Sequence, residues 1–149
     1  MDVVLVEPEI PQNTGSIGRL CAATRSPLHL VGRLGFSLDD KYMKRAGLDY
    51  WPLIELHTHS CFEDLERTLG ARRRIAFSAR STTSYSRLEF REDDVLIFGG
   101  ESRGLPSVLC DRLAPLYTIP IFEPGVRSLN LSNAVSIVLY EGLRQLGRV

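Results

Sequence analysis

Short apolar runs recur along this chain with amphipathic segments between them, and that alternation restricts the fold more than any other feature. DVVLV (residues 2–6), bounded by Glu7-Pro8, reads as a buried strand. LHLVG (28–32), LIELH (53–57), RRIAFSA (73–79), DVLIFGG (94–100) and LYTIPI (116–121) read as five more. Pro8 and Pro11 place the first helix start at Asn13, a good N-cap, and Ile17, Leu20, Cys21 and Thr24 then share one face. A second helix follows Ser60, its N-cap candidate, with Phe62, Leu65 and Leu69 on its apolar side and Gly70 as its stop. LPSVLCDRL supplies one or two helical turns, residues 80–92 a polar loop, and the last helix runs from about Asn130 to Leu146. Strands alternating with helices predict an α/β fold with a mostly parallel sheet flanked by helices.

The chain has 149 residues, a natural size for one domain spanning 1–149. With 44% hydrophobic and 24% charged residues it has material for a real core. Eighteen basic residues balance eighteen acidic ones, so an RNA or DNA partner would be held by a local basic patch, not by a global field. No leader peptide is visible, and no apolar run nears the roughly 18 residues of a membrane helix. Cys21, Cys61 and Cys110 are an odd, scattered set that reads as reduced thiols. The expectation is a cytoplasmic protein without a membrane partner. His57 and His59 would share one face of a strand, but with no third ligand nearby no metal site is expected.

In parallel sheets ligands bind beyond the carboxyl ends of the strands. Three segments would converge there: PQNTGSIGR after the first strand, FGGESRGLP after the fifth and FEPGVRSLNLSN after the sixth. The last leads into a helix whose start holds Ser128, Asn130, Ser132 and Asn133, more polar side chains than one cap requires. Gly99, Gly100 and Gly104 permit close backbone approach, but neither a dinucleotide fingerprint nor a P-loop is present. No Ser/His/Asp constellation sits in these loops. They hold Arg19, Arg103, Glu101, hydroxyls and amides, a set suited to positioning an anionic partner and an adenosine-like ligand. Lys41, Lys44 and Arg45 fall at i, i+3, i+4; they read equally as a solvated face and as a phosphate-contacting patch.

N-T-G-x-x-x-R (Asn13–Arg19), F-G-x-E-S-R-G-L-P (Phe98–Pro106) and S-x-N-L-S-N-A (Ser128–Ala134) resemble, in order, the three signature motifs of the SPOUT RNA 2′-O-methyltransferases. EPEIPQNTG, DDKYMKRAGLDYW and LNLSNAVSIVLYEGLRQLG resemble its minimal TrmL (YibK-like) branch. The resemblance implies a SPOUT fold with a C-terminal trefoil knot, a feature no periodicity would suggest. It implies S-adenosylmethionine as cofactor, held by Phe77, Gly99, Glu101, Ile119, Ser128 and Leu129. It implies methylation of the ribose 2′-OH at wobble position 34 of tRNA-Leu, reached through the anticodon stem-loop; Lys41, Lys44, Arg45 and Arg103, read from the residues themselves, are the candidate RNA contacts. The nearest alternatives are another tRNA position, ribosomal RNA, or a non-catalytic RNA-binding dimer.

The catalytic arginine of the family maps to Arg19. A guanidinium stays protonated up to a pKa of about 12, so the preferred role is orienting the ribose-phosphate and stabilising the developing alkoxide; a neutral, base-like Arg19 is the alternative. No metal is required. Ala134, Ile137 and Tyr140 form a second apolar stripe on the last helix beside Leu131, Val135, Val138, Leu139 and Leu146. A helix apolar on two faces agrees with the family homodimer, Ile137 and Tyr140 lying in the interface and Arg19 approaching the partner's cofactor. Three departures stand out: Gly100 where relatives commonly have Pro, Gly18 where a larger residue is usual, and a loop before Ser128 one residue longer than expected.

Overall fold

A computed structural model describes residues 1–38 and 50–149. The described residues form five strands: β1 (Asp2–Val6), β2 (Leu28–Val31), β3 (Leu56–His59), β4 (Arg74–Ala76) and β5 (Val95–Gly99). They pair in parallel, in the order β3-β2-β1-β5-β4. Four helices among the described residues flank this sheet: α1 (Pro11–Thr24), α2 (Phe62–Leu69), α3 (Ser107–Arg112) and α4 (Leu131–Gln145). No helix among the described residues is long and apolar enough to cross a membrane.

Strand alternation divides the core into two layers. Val3, Leu5, Leu30, Leu96 and Phe98 face α1 and α4, packing on Ile17, Cys21, Val135, Val138 and Leu139. Val4, Val6, Val31 and Ile97 face the other way, onto Phe62, Leu65 and Leu69 of α2 and Leu109 of α3. Both sides of β1 and β5 are therefore covered, which is why those strands read as unbroken apolar runs. Leu5, Leu96 and Leu139 are fully buried, each worth roughly 1.5–3 kcal/mol relative to exposure.

Four details differ from the sequence expectation. The first helix begins at Pro11, not Asn13, because proline is well suited to the first helical position, where no N–H is needed. The third strand lies at Leu56–His59, not 53–57; Trp51–Leu53 form a 3-10 turn instead. β3 is a half-buried edge strand, so its sequence LHTH carries no apolar run to mark it. Ser60 does not cap α2: the N-cap is Cys61, and the Ser60 hydroxyl donates to the Asp64 carboxylate. LYTIPI is not a sixth strand. Tyr117 and Thr118 make single bridges to Phe77 and Ser84, and Pro120 lacks the donor that would extend pairing.

The amino-terminal edge of the sheet is polar. Asp2 accepts two hydrogen bonds from Arg72 (2.6 and 2.7 Å) and is 3.1 Å from His29. Burial alone would push its carboxyl up; the hydrogen bonds from His29 and Arg72 and the Arg72 charge outweigh this and hold it well below the usual carboxylate range. Asp94, fully buried, is held by Arg73 in the same two-pronged way. Parallel register sets His29 opposite His57, and the His29 ring stacks on both His57 and His59. Among the described residues, no group of three or more His, Cys, Asp or Glu side chains is arranged to hold a metal ion.

Candidate functional site

β1 and β5 lie side by side at the centre of the sheet, but their following segments lead to helices on opposite faces. Such a divergence opens a crevice at the carboxyl ends. Here it is a cavity of about 950 Å³, lined by segments from across the chain: Ile10 and Asn13, Phe77–Arg80, Phe98–Leu105, Tyr117–Ile119 with Ile121, and Arg127–Leu131. These include all three convergent loops read from the sequence, and the stretch after β4 besides.

The chain enters the site under local strain. Glu7, the residue after β1, has φ 51°, a left-handed conformation unusual for a non-glycine residue and costing about 1–3 kcal/mol. The backbone then passes beneath Glu101. That carboxylate accepts from the Glu9 amide (2.7 Å), the Ile10 amide (3.3 Å) and the Asn13 side-chain amide (2.9 Å). The Asn13 side-chain oxygen in turn accepts from Asn130 Nδ2 at 3.0 Å. Asn130 caps α4 through Ser132 N and Asn133 N and also accepts from the Ser132 hydroxyl. One Glu–Asn–Asn relay therefore ties all three loops together. A second tie joins Glu9 to Ser102, whose hydroxyl and amide both donate to the Glu9 carboxylate and lower its pKa.

The cavity wall is apolar at its base and brought close by glycine. The Phe77 and Phe98 rings stack at 4.8 Å. A Cβ at Gly99 would stand 2.1 Å from Gly104 C and Leu105 N, so only glycine permits that backbone approach. A Cβ at Gly100 would meet the Glu7 carbonyl at 2.5 Å. An apolar base, backbone-lined walls and polar groups at one end suit a flat, adenosine-sized ligand with a charged tail.

Phe77, Gly99, Glu101, Arg103, Ile119, Ser128 and Leu129 all line this one cavity. Arg19 does not. It is exposed on α1, its guanidinium 4.8 Å from the Tyr50 ring centroid, and Tyr50 is itself fixed by a hydrogen bond to Gly15 O. Gly18 beside it is small for a reason: a Cβ there would stand 2.8 Å from Ile54 Cδ1 and 3.3 Å from the Trp51 ring. Lys41, Lys44 and Arg45 lie outside the described residues. Ile137 and Tyr140 are exposed on α4 (37% and 46%), while Val135, Val138 and Leu139 on the opposite side are buried. Sequence reasoning missed Arg80, Arg127, Phe98, Leu105 and Tyr117 in the wall. For Arg80 a signal existed, since it follows the fourth strand at the same sheet edge. The other missed residues sit within or beside segments already singled out.

Comparison with known proteins gives concordant results. Residues 1–140 match the SpoU rRNA methylase family. A tRNA (cytidine(34)-2′-O)-methyltransferase of Methylovorus glucosotrophus is 46% identical over 145 residues, covering 97% of this chain and 94% of that protein. A solved structure described as giving insight into the 2-OH methylation of C/U34 on tRNA superposes with a TM-score of 0.89 at 48% identity, covering 98% of this chain and 95% of its own. An AdoMet-bound rRNA methyltransferase from Sinorhizobium meliloti superposes with a TM-score of 0.85 at 28% identity, over 97% of this chain and 56% of that one.

Proposed function

The chain belongs to the SpoU methylase family, and on that footing we propose that it transfers a methyl group from S-adenosylmethionine to the ribose 2′-OH of nucleotide 34 of a tRNA. The observation that carries this reading is the convergence of the three motif loops on one cavity, linked by the hydrogen bonds of Asn13, Glu101 and Asn130. The reading treats residues 1–149 as one domain; a single sheet bearing both core layers supports this. It also includes a trefoil knot, supported by the return of residues 127–131 to the wall already formed by 98–105.

Phe77, Gly99, Ile119 and Leu129 would hold the nucleoside portion of S-adenosylmethionine through apolar surface and backbone, with Ser128 and Glu101 at the polar end. The bound cofactor supplies an electrophilic methyl on sulfur whose leaving group departs neutral, so no metal is called for. The protein's task is then alignment and charge. Arg19 orients the ribose-phosphate and stabilises negative charge developing on the 2′-oxygen; its cation–π contact with Tyr50 restricts where the guanidinium points. Glu101 is a positioning residue, since its carboxylate holds the approach to α1.

Arg19 lies outside the cavity of its own chain, and the exposed Ile137 and Tyr140 leave an apolar face on α4. Both support a homodimer in which Arg19 serves the partner's cavity. The RNA contacts assigned to Arg103, and to Lys41, Lys44 and Arg45, belong to the same reading, as does the anticodon stem-loop of tRNA-Leu as target, in the cytoplasm. The test is transfer of labelled methyl from S-adenosylmethionine to total tRNA from a strain lacking this protein, followed by nucleoside mapping. Label in a 2′-O-methylated nucleotide at position 34 is the expected result; label confined to another tRNA position, or no label in tRNA, overturns it.

A further inference from the structure

The loop before Ser128 carries Phe122, which is 95% exposed. Its neighbours hold it there. Glu123 closes a turn around Pro124-Gly125: its carbonyl accepts from Val126 N at 3.0 Å and its carboxylate from Gly125 N at 2.9 Å. Ile121 on one side and Arg127 on the other are part of the cavity wall, so the turn stands at the rim of the candidate site. Three exposed arginines, Arg80, Arg103 and Arg127, line the same cavity. The guanidinium groups of Arg80 and Arg127 make no hydrogen bond or ion pair to another described residue.

An exposed aromatic ring at the rim of a cavity lined by arginines matches what an unpaired nucleotide presents, a π-face and a phosphate. A second copy of this chain is a poorer match, because the apolar face left for pairing lies on α4 at Ile137 and Tyr140 and not on this turn. We propose that Phe122 is a stacking platform for an unpaired nucleotide adjacent to the methylated one, with Arg80 and Arg127 on its flanking phosphates. This rests on the RNA-methylating function proposed above and adds a contact that the motif residues do not include.

The test uses the full-length protein with unmodified tRNA, comparing wild type with Phe122→Ala, Phe122→Leu and Phe122→Trp. The readouts are tRNA affinity at fixed salt, KM and kcat for tRNA, S-adenosylmethionine affinity, and sedimentation. The expected result is a rise of about tenfold or more in tRNA Kd and KM for the Ala and Leu variants. Phe122→Trp should retain near-wild-type affinity, and all variants should keep cofactor affinity and oligomeric state. Unchanged tRNA affinity in Phe122→Ala overturns the platform. So does loss of cofactor binding, which would place the ring against S-adenosylmethionine, or a change in oligomeric state, which would place it against a partner chain. If wild type binds tRNA without methylating it and Phe122→Ala still weakens binding, the platform stands and the methylation reading falls.

Discussion

The side-chain amide of Asn13 donates to Glu101 Oε1 at 2.9 Å, joining the start of α1 to the loop after β5. Glu101 also receives two backbone amides, so its carboxylate is the common acceptor on which the first and second motif loops are registered.

Replacing Glu101 with Gln keeps the shape but turns one acceptor into a donor facing N–H groups. Leaving such groups unmatched costs about 1–3 kcal/mol. Glu101→Gln should therefore lower stability by that amount and weaken S-adenosylmethionine binding, because the cavity wall loses its register. Denaturant melts and calorimetric titration check the two effects. A variant with wild-type stability and affinity would remove Glu101 from its positioning role.

Gly99 is constrained by a different physical limit. A Cβ 2.1 Å from Gly104 C and Leu105 N meets backbone, which moves less readily than a flexible side chain. Gly99→Ala should force the 99–105 loop outward and reduce cofactor affinity by roughly a hundredfold, equivalent to about 2.7 kcal/mol. Since the core layers lie below this loop, the variant should still unfold cooperatively. Calorimetry and a thermal melt together check this.

The elements legible from sequence were those whose signals are local. The glycines after β5, the polar start of α4 and the apolar runs of β1 and β5 each carry their own pattern, and the order of the three motifs carried the family. What escaped depends on long-range register. Nothing in LHTH announces an edge strand until β2 aligns His29 with His57. Pro120 stops Tyr117 and Thr118 from becoming a strand although the run reads as one. The Asn130–Asn13 hydrogen bond joins residues 117 positions apart, so the excess of polar groups at the start of α4 was visible but not its partner. Gly18 gains a local reason only once the ends of the Ile54 and Trp51 side chains pack against it.

The histidine cluster makes a prediction about acid stability. Burial, then the nearby His29 and His57, hold His59 below the ordinary imidazole value of 6.5. His29 Nε2 lies 3.1 Å from Asp2 Oδ2 and His29 Nδ1 lies 3.0 Å from His59 Nε2, so the two rings share one hydrogen bond. The unfolded chain thus takes up a proton near pH 6.5 that the folded chain accepts only at lower pH. This contribution to stability is complete above that pH and is lost as pH falls toward the folded value. His59→Gln should flatten the stability profile just below pH 6.5, measured by urea melts at a series of pH values. A slope unchanged by the substitution would assign the acid sensitivity elsewhere.

Arg19→Ala should lower kcat by roughly a hundredfold or more, the scale of losing a charge that stabilises a developing oxyanion. Cofactor affinity should not change, since Arg19 is assigned to the ribose-phosphate and the residues assigned to S-adenosylmethionine all stay intact. Single-turnover kinetics separate this from a binding defect. Arg19→Lys keeps the charge but loses the planar fork, and should recover only part of the rate.

The placement of Arg19 outside its own cavity leads to the most specific expectation. If each Arg19 serves the partner's site, two impaired variants should complement one another at S-adenosylmethionine concentrations too low to load the Gly99→Ala cavity. Mixing Arg19→Ala with Gly99→Ala through reversible dissociation yields some dimers carrying one of each chain. In those, the intact cavity of the Arg19→Ala chain meets the intact arginine of its partner, so one site of the two is complete. Random mixing makes about half the dimers mixed, so activity should return to about a quarter of wild type. If Arg19 acts on its own cavity, every site in every mixture lacks one element and no activity returns. Placing Glu at both Ile137 and Tyr140 should abolish the recovery, because it sets like charges on the apolar face of α4 through which the chains would pair. Sedimentation of that double variant as a monomer, with its cofactor affinity intact, would show that the apolar face serves assembly and the cavity does not depend on it.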